Sequence, residues 1–391
     1  MKRINLEKIA ACFFIANIVI ACNNTDGDTL EELQQGKVLS FTEMQTKYID
    51  NLLTYEFSKT GKISLRSATE TELDLNSMSS DEKRELVMQL SEIKNAPTLR
   101  SETGEIESPE DEAFYFAQYE ALLAELNAHP LVIAELQKEG VESEPSNMMY
   151  YLEGQTYSKF DVLQQAENPT QLEDPNTIQL RSVRTTLLSR WPKVSNTIDY
   201  RFGKDASTNT KTNIRAAMNQ WQAAANNRIK YKEINNSAWN QLVWSIGCSW
   251  HIWIHDSKCL DAGGMSTAGY VPWSTITINP NSASSNTYLH ELGHSLGLIH
   301  EHQRPDRDNY IIVDYNNIKS NSIQFNKILS TSCQTYGTFD FESIMMYRSY
   351  IGNWAKDPNK PIMKKKSDNS TFGDNYVLSA GDKANIKLIY N

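Results

Sequence analysis

Residues 290–308 read HELGHSLGLIHEHQRPDRD, and this stretch decides the fold. Four of the chain's seven histidines fall within it. His290 and His294 are four residues apart, so on a helix both imidazoles project from the same face, about one turn apart. Gly297 stands midway between His294 and His300, where a helix can end. A left-handed turn at this glycine would bring His300 back toward the first two histidines.

Three imidazoles at this spacing predict a catalytic zinc site. Zinc binds histidine nitrogens at about 2.0–2.1 Å, and three protein ligands leave one position open for water. Water on such an ion has a pKa of about 7, and the carboxylate of Glu291 is the candidate general base that accepts its proton. The alternative is a chance cluster of surface histidines. The glycine and the third histidine at fixed offsets argue against it.

The whole stretch resembles the astacin branch of the metzincin zinc peptidases. HExxHxxGxxH is the metzincin motif, and residues 290–308 contain every fixed position of the longer astacin pattern HExxHxxGxxHExxRxDRD. Residues 343–347, SIMMY, resemble the Met-turn of the family, with Met346 in place of a histidine. Similarity also extends to RWP at 190–192 and LSAGD at 378–382. The resemblance covers about residues 185–391.

This resemblance implies a fold and a set of roles around one catalytic zinc ion, Zn²⁺. The fold class is α+β, with a twisted sheet, an active-site helix and a Met-turn. His290, His294 and His300 are the ligands, and Glu291 is the base. An edge strand near residues 266–270 would bind extended peptide substrates through backbone hydrogen bonds.

Three further roles are implied by the resemblance. Met345 would form the hydrophobic base beneath the ligands. Tyr347 would contact the metal at rest and then stabilise the oxyanion. Glu301 would receive, directly or through water, the amino terminus created when a propeptide is cut. Without the motif, Met345 and Tyr347 would be interpreted as core side chains, and Glu301 as one member of a surface ion pair with Arg304.

The charges divide the chain into two unequal parts. The whole chain has a net charge of −10, which argues against nucleic-acid binding because a phosphate backbone favours a basic surface. Residues 23–184 contain 31 acidic and 13 basic side chains, whereas residues 185–391 contain 16 and 22. Residues 80–96 and 109–138 have apolar positions at helical spacing. We therefore predict that residues 22–184 are an acidic, mainly helical propeptide that inhibits residues 185–391. A soluble, partly disordered arm is the alternative.

The first 22 residues are typical of a bacterial lipoprotein signal. Lys2, Arg3 and Lys8 precede an apolar run at 9–21 that is too short to span a bilayer. The run ends in VIAC at 19–22, which resembles a lipobox and predicts a signal peptide at 1–21 with lipid on Cys22. Ordinary signal cleavage is the alternative. The lipid would attach an exported precursor to the cell envelope.

Candidate residues for activation and for inhibition lie ahead of residue 185. Residues 168–184 are polar, contain two prolines and predict a linker, in which Arg181 and Arg184 are candidate cleavage sites. A cut there would separate the enzyme from both its inhibitor and its lipid. Phe160-Asp161 is a candidate for the group that blocks zinc, and Glu153 is a weaker one. The sequence leaves the pairing of Cys248, Cys259 and Cys333 open, with a Cys248–Cys259 disulfide favoured.

The sequence therefore predicts a secreted or envelope-anchored zinc endopeptidase that hydrolyses peptide bonds in proteins and is made as a zymogen. Its partners would be protein substrates, its own propeptide and a membrane reached through Cys22. One alternative is a non-catalytic envelope zinc-binding protein or adhesin, which the presence of Glu291 and Tyr347 disfavours. Another is a zinc hydrolase that acts on non-peptide substrates.

Overall fold

A computed structural model describes residues 38–60, 74–96, 108–138, 148–152, 155–168, 190–191, 197–260, 262–319, 323–328, 330 and 333–391. The predicted signal peptide, Cys22, Glu153, Arg181 and Arg184 lie outside these ranges. Of two compact units, Met1–Leu39 and Ser40–Asn391, the first contributes only Val38 and Leu39 to the description, and the second holds every element below. None of the described helices combines the length and apolar character that a membrane span requires.

Helices dominate the described residues before the linker. In chain order the elements are α1 Phe41–Thr60, α2 Ser80–Lys94, α3 Pro109–Ala128, α4 Pro130–Lys138, β1 Met149–Leu152, β2 Gln155–Ser158 and α5 Lys159–Glu167. Strands β1 and β2 form an antiparallel hairpin. The helical spacing predicted at 109–138 is divided between two helices, α3 and α4, since Pro130 cannot donate the hydrogen bond that would continue the first one.

A five-stranded sheet organises the second half of the chain. Its strands are β3 Thr197–Phe202, β4 Lys230–Glu233, β5 Ile252–Asp256, β6 Gly264–Ser266 and β7 Thr275–Ile278. They lie in the order β4-β3-β5-β7-β6, and β6 is an edge strand that pairs antiparallel with β7 whereas the other pairs are parallel. The edge strand predicted near residues 266–270 therefore lies slightly earlier and ends at Ser266.

Four helices accompany this sheet: α6 Thr208–Ala224, α7 Ala238–Ser245, α8 Ser285–Ser295 and α9 Ala380–Ile389. Trp221 of α6 and Leu292 of α8 are fully buried, and the Trp221 indole donates to the Leu289 carbonyl at 2.9 Å. A second pair of strands, β8 Ile311–Val313 and β9 Met363–Lys365, lies between α8 and α9 in the chain and covers a smaller apolar cluster. Helices and a mainly parallel sheet with an antiparallel edge agree with the predicted α+β class.

The structure contradicts the favoured disulfide. Cys248, Cys259 and Cys333 are all free. Cys248 is buried before β5, whereas Cys259 is exposed after it. The five extended residues of β5, which rise by about 3.3 Å each, lie between the two cysteines, an arrangement that does not favour the close Cα approach of a disulfide, about 4.4–6.8 Å.

Candidate active site

Helix α8 positions the first two histidines. Its apolar side chains Tyr288, Leu289 and Leu292 are buried in the core. This packing fixes the rotation of the helix, so His290 and His294 lie together on the face that the core leaves only partly covered.

The chain reverses direction directly after α8. Gly297 has φ = +96°, a conformation that residues with a Cβ rarely adopt. The reversal is closed by hydrogen bonds from Gly297 N to His294 O at 2.8 Å and from Leu298 N to Gly293 O at 3.0 Å. The left-handed turn predicted at this glycine is present, and it carries His300 back to α8.

The structure brings the three imidazoles together. The Nε2 atoms of His290 and His294 are 3.1 Å apart, those of His290 and His300 are 3.2 Å apart, and those of His294 and His300 are 3.0 Å apart. Ligands at about 2.0–2.1 Å from a tetrahedral zinc ion would be about 3.3 Å from one another. The three nitrogens therefore fit one zinc ion.

Each ring is oriented through its other nitrogen. The Nδ1 atoms of His290 and His294 donate to the carbonyl oxygens of Ile344 and Leu298 at 2.8 and 2.9 Å, and Nδ1 of His300 donates to Oε1 of Gln303 at 2.9 Å. Because a carbonyl oxygen only accepts, Nδ1 carries the proton and the Nε2 lone pair points into the cluster.

Burial keeps these imidazoles neutral. Desolvation, followed by repulsion from His290, lowers the pKa of His294 to about 3. Desolvation likewise lowers the pKa of His290 and of His300 below the usual range for histidine. Neutral imidazole is the form that binds a metal, so the cluster is prepared for an ion without losing protons.

Among the described residues, no carboxylate or thiol joins the three histidines. Asp161, the candidate blocking group, lies instead in the first turn of α5, where its carboxylate accepts a hydrogen bond from Gln165 at 2.8 Å. The Phe160-Asp161 prediction is therefore wrong for this structure, because the helix directs that carboxylate to its own next turn.

The side chain of Glu291, on α8, faces the edge strand β6. Only 5% of its surface is exposed, and a Cβ on Gly264 would be 2.8 Å from its Cγ and 3.1 Å from its Oε1. Burial raises the pKa of Glu291 to about 8. A carboxyl group with a pKa close to neutral pH is suited to accept and return a proton during a reaction.

Met345 fills the space beneath α8. Its side chain is 2% exposed, and a Cβ on Gly293 would lie 2.5 Å from its sulfur. Its carbonyl oxygen accepts a hydrogen bond from Glu301 N at 3.0 Å. The Met-turn and the segment after the third histidine are therefore joined directly.

Tyr347 lies beside the histidines, and its ring centroid is 4.3 Å from that of His300. Burial and the charge of Glu291 raise the pKa of the phenol above its usual value, so its hydroxyl keeps its proton. His302 stacks on Tyr347 at 4.6 Å and on His300 at 5.0 Å. No role for His302 was predicted from the sequence. The one sign of a role was that His302 is the fourth histidine of the 290–302 cluster, at a position that the motif leaves unspecified.

A hydrogen-bonded path also connects His290 to Asp382, which the sequence analysis missed. The carboxylate of Asp382 accepts from Ser343 Oγ at 2.6 Å, and Ser343 Oγ accepts from Met345 N at 3.0 Å. Met345 N and the Ile344 carbonyl that holds His290 belong to the same peptide group. A second oxygen of Asp382 accepts from Ile344 N at 2.8 Å. Asp382 therefore fixes the turn that orients a candidate ligand.

Glu301 lies within a buried network. Its Oε1 accepts from Asp340 N at 2.8 Å and from Arg304 Nη1 at 3.1 Å, and the Arg304 side chain is only 6% exposed. The pair is therefore not on the surface. Desolvation, opposed by Arg304, raises the pKa of Glu301 to about 7. Glu301 also lines a pocket together with Arg190 and Ile389.

Comparison with known sequences decides the family. Residues 183–391, more than half of the chain, match the sequence model of the peptidase family Astacin. The chain belongs to the astacin family. The match confirms the resemblance found in the sequence, and zinc is the metal of this family. The three-histidine cluster of this astacin fits that ion.

Several relatives are similar to parts of this astacin chain. Flavastacin from Elizabethkingia meningoseptica is 31% identical over 247 residues, which are 60% of this chain and 49% of flavastacin. Zinc metalloproteinase nas-28 from Caenorhabditis elegans is 29% identical over 228 residues, which are 57% of this chain and 42% of that protein. The chain spans about half the length of the curated relatives it matches.

One solved structure was also found to be similar. High choriolytic enzyme 1, a hatching enzyme zinc-protease from Oryzias latipes, is 23% identical with a TM-score of 0.43. The match covers 53% of this chain and 96% of the hatching enzyme. The domain boundaries and the roles of individual residues stay predictions.

Proposed function

We propose that this astacin is a zinc-dependent endopeptidase that hydrolyses peptide bonds in proteins. The observation that carries the proposal is the convergence of the Nε2 atoms of three histidines within 3.0–3.2 Å of one another. The buried carboxyl of Glu291 belongs to the same helix as two of them, His290 and His294. When bound there, zinc would supply Lewis acidity and lower the pKa of water.

The protein groups would divide the remaining work. His290, His294 and His300 hold the metal site. Glu291 accepts the proton of the attacking water and returns it to the departing amine nitrogen. The Tyr347 hydroxyl, which stays protonated, donates a hydrogen bond to the oxyanion. Strand β6, at the edge of the sheet, offers backbone groups to an extended peptide.

The proposed zymogen has support from charge and from packing. The N-terminal segment is acidic whereas the peptidase part is basic. Strand β2 lies against β6, where the substrate would bind. A cut near Arg181 or Arg184 would create an amino terminus whose positive charge suits the buried Glu301 carboxyl.

We also propose export through residues 1–21 and lipidation of Cys22, for which the charged start, the short apolar run and VIAC at 19–22 are the support. Mass spectrometry of the protein from bacterial envelopes and from the medium tests this. A mature chain that keeps residues 1–21, or an envelope form without lipid on Cys22, would contradict it.

Casein digestion by the full chain, after limited trypsin treatment and inactivation of the trypsin with a serine-protease inhibitor, tests the peptidase activity. Glu291→Gln should lower the rate by at least about 100-fold while zinc stays bound, because general base catalysis contributes about 10²–10⁴. Glu342→Gln, at an exposed glutamate of the same part of the chain, is the control and should digest casein normally. Zinc binding without digestion by the parent protein would support a non-catalytic zinc protein instead.

Peptide, ester and lactam substrates, offered in parallel to the activated chain, test the substrate class. We expect hydrolysis of the peptides. Turnover of the esters or lactams alone would reject the peptidase and favour another zinc hydrolase.

A further inference from the structure

Helix α7 of the peptidase part is enclosed by the N-terminal helices. All of its residues except Gln241 are buried, and α2 and α3 pack directly against it. Its apolar side chains do not belong to the core that surrounds Trp221. The helix contacts the sheet through Trp244, whose ring meets Trp253 at 5.1 Å, and the N-terminal helices cover its other side.

Side chains of the N-terminal helices also bind both ends of α7. At its start, the Glu112 carboxylate accepts from Ala238 N at 2.9 and 3.0 Å. After its last turn, Gln45 Nε2 donates to Ile246 O at 2.7 Å and Arg84 donates to Gly247 O at 3.1 Å. These backbone groups have no partner within the helix itself. Gln45, Arg84 and Glu112, which are far from α7 in the sequence, supply these hydrogen-bond partners.

The middle of α7 makes specific buried contacts. Asn240 and Asn95 exchange two amide hydrogen bonds of 3.0 Å each. The Trp239 indole donates to Ser91 Oγ at 3.2 Å, and its ring meets the edge of Tyr115 at 5.1 Å. Lys94 lies 4.6 Å from the same ring.

The contact continues beyond α7 to Trp273. The Trp273 indole donates to Ser245 O at 2.9 Å, and its ring packs edge-on against Phe160 at 5.9 Å and Phe41 at 6.4 Å. Two tryptophans of the peptidase part are therefore covered by aromatic side chains from the N-terminal segment.

We propose that residues 238–247 together with Trp273, here called the α7 surface, are a permanent docking site for the N-terminal segment 40–167. The segment stays bound there through α1–α3 as a separate chain after the linker is cut, and activation requires only that strand β2 leave β6. This inference rests on the proposed function only in that the linker is cleaved.

Three observations favour retention over release. Separation would expose Trp239 and Trp273, and aromatic side chains of this kind bury about 150–250 Å² each. Soluble proteins rarely leave such a patch open to water. Buried aromatic contacts and paired polar groups at the centre are typical of stable interfaces, and the opposite charges of the two parts favour association.

Cleavage of an inactive full chain tests the proposal. The chain carries Glu291→Gln, so that it cannot digest the released segment, and a recognition sequence for a site-specific protease inserted in residues 175–180. After complete cleavage, size-exclusion chromatography at about 1 μM should show the two fragments in one peak. Two separate peaks of folded fragments would overturn the proposal.

Variants in the same background locate the contact. Glu112→Gln and Tyr115→Ala should each increase the rate at which the cut fragments separate after dilution, by at least about tenfold. Glu120→Gln, at an exposed residue of the same helix α3, is the matched control and should separate as slowly as the parent. Equal rates for all three variants would reject the α7 surface. Circular dichroism before the cut identifies any variant that fails to fold. In that case Trp273→Ala, on the peptidase side of the contact, replaces it and should likewise speed the separation of the fragments.

The readout does not depend on catalysis. Casein digestion is measured separately, on the parent chain with Glu291 intact. Glu291→Gln fragments that stay together while the parent fails to digest casein would reject the proposed function and keep this inference. Fragments that separate while the parent digests casein would do the opposite.

Discussion

One hydroxyl group and one peptide group lie between the carboxylate of Asp382 and the imidazole of His290. Asp382→Asn places an amide where two donors, Ser343 Oγ and Ile344 N, now meet carboxylate oxygens. Either Ile344 N loses its acceptor, or Ser343 Oγ must turn from donating to a carboxylate to accepting from a neutral amide, so the turn that orients His290 loosens. Zinc affinity should fall by about tenfold or more, as is usual when the outer partners of a metal ligand are removed.

Competition with a chelator measures this affinity. Ser379→Ala is the matched control, since it removes the cap of the same helix α9 but keeps the Ser343 contact. It should cost about 1 kcal/mol of folding stability and leave zinc affinity unchanged. Unchanged zinc affinity in Asp382→Asn would show that the path does not act on the ligand.

Free cysteines allow a direct test of burial at single residues. Desolvation raises the pKa of Cys248 to about 12, so at pH 8 its thiol is protonated as well as buried. Cys259 is exposed. Alkylation of the native protein at pH 8 should therefore modify Cys259 and spare Cys248, because the thiolate is the reactive form.

Peptide mapping after alkylation gives the result, and unfolding in guanidinium should make Cys248 reactive. A rise in pH toward 12 increases the thiolate fraction of Cys248 in the folded state, whereas a fall in pH does not. Rapid native labelling of Cys248 would contradict its placement.

At the scale of elements, the contact between β6 and α8 sets the position of Glu291. Gly264→Ala would introduce a Cβ 2.7 Å from Thr287 and 2.8 Å from Glu291 Cγ. One of the two elements must shift, and we expect casein digestion to fall by at least about tenfold while zinc binding is retained. Gly373→Ala is the control, since a Cβ there meets nothing within 4 Å. Normal activity in Gly264→Ala would contradict the close approach.

Elements with local signals could be predicted from the sequence. The three histidines and Gly297 lie on one helix and the turn that follows it, so spacing alone was enough to predict their convergence. The prediction failed at Cys248 and Cys259, which are close in sequence and are both free in the structure.

Contacts between distant residues could not be predicted in this way. Asn95 and Asn240 are 145 residues apart in the chain, and Ser343 and Asp382 are 39 apart. Neither pair has a spacing pattern that a helix or strand would impose. Their meeting depends on how whole elements pack, which periodicity does not determine.

At the scale of the whole molecule, zinc removal should lower thermal stability. An ion that binds only the folded chain at 100 times its dissociation constant adds about 2.7 kcal/mol. In a domain of this size that corresponds to a shift of about 5–10 °C in melting temperature. Thermal unfolding with and without a chelator measures the shift, and added zinc should reverse it. Glu291→Gln should show the same shift as the parent protein, whereas His294→Ala should show none.

Helix α7 also has a consequence for evolution within the family. Its tryptophan and asparagine side chains suit a chain that always carries its N-terminal helices. A descendant that lost those helices would need smaller or more hydrophilic residues at positions 239, 240 and 273 to stay monodisperse. Substitutions in the N-terminal helices and at positions 239, 240 and 273 are therefore expected to arise together. A comparison of family members that have these helices with members that lack them would reveal that coupling.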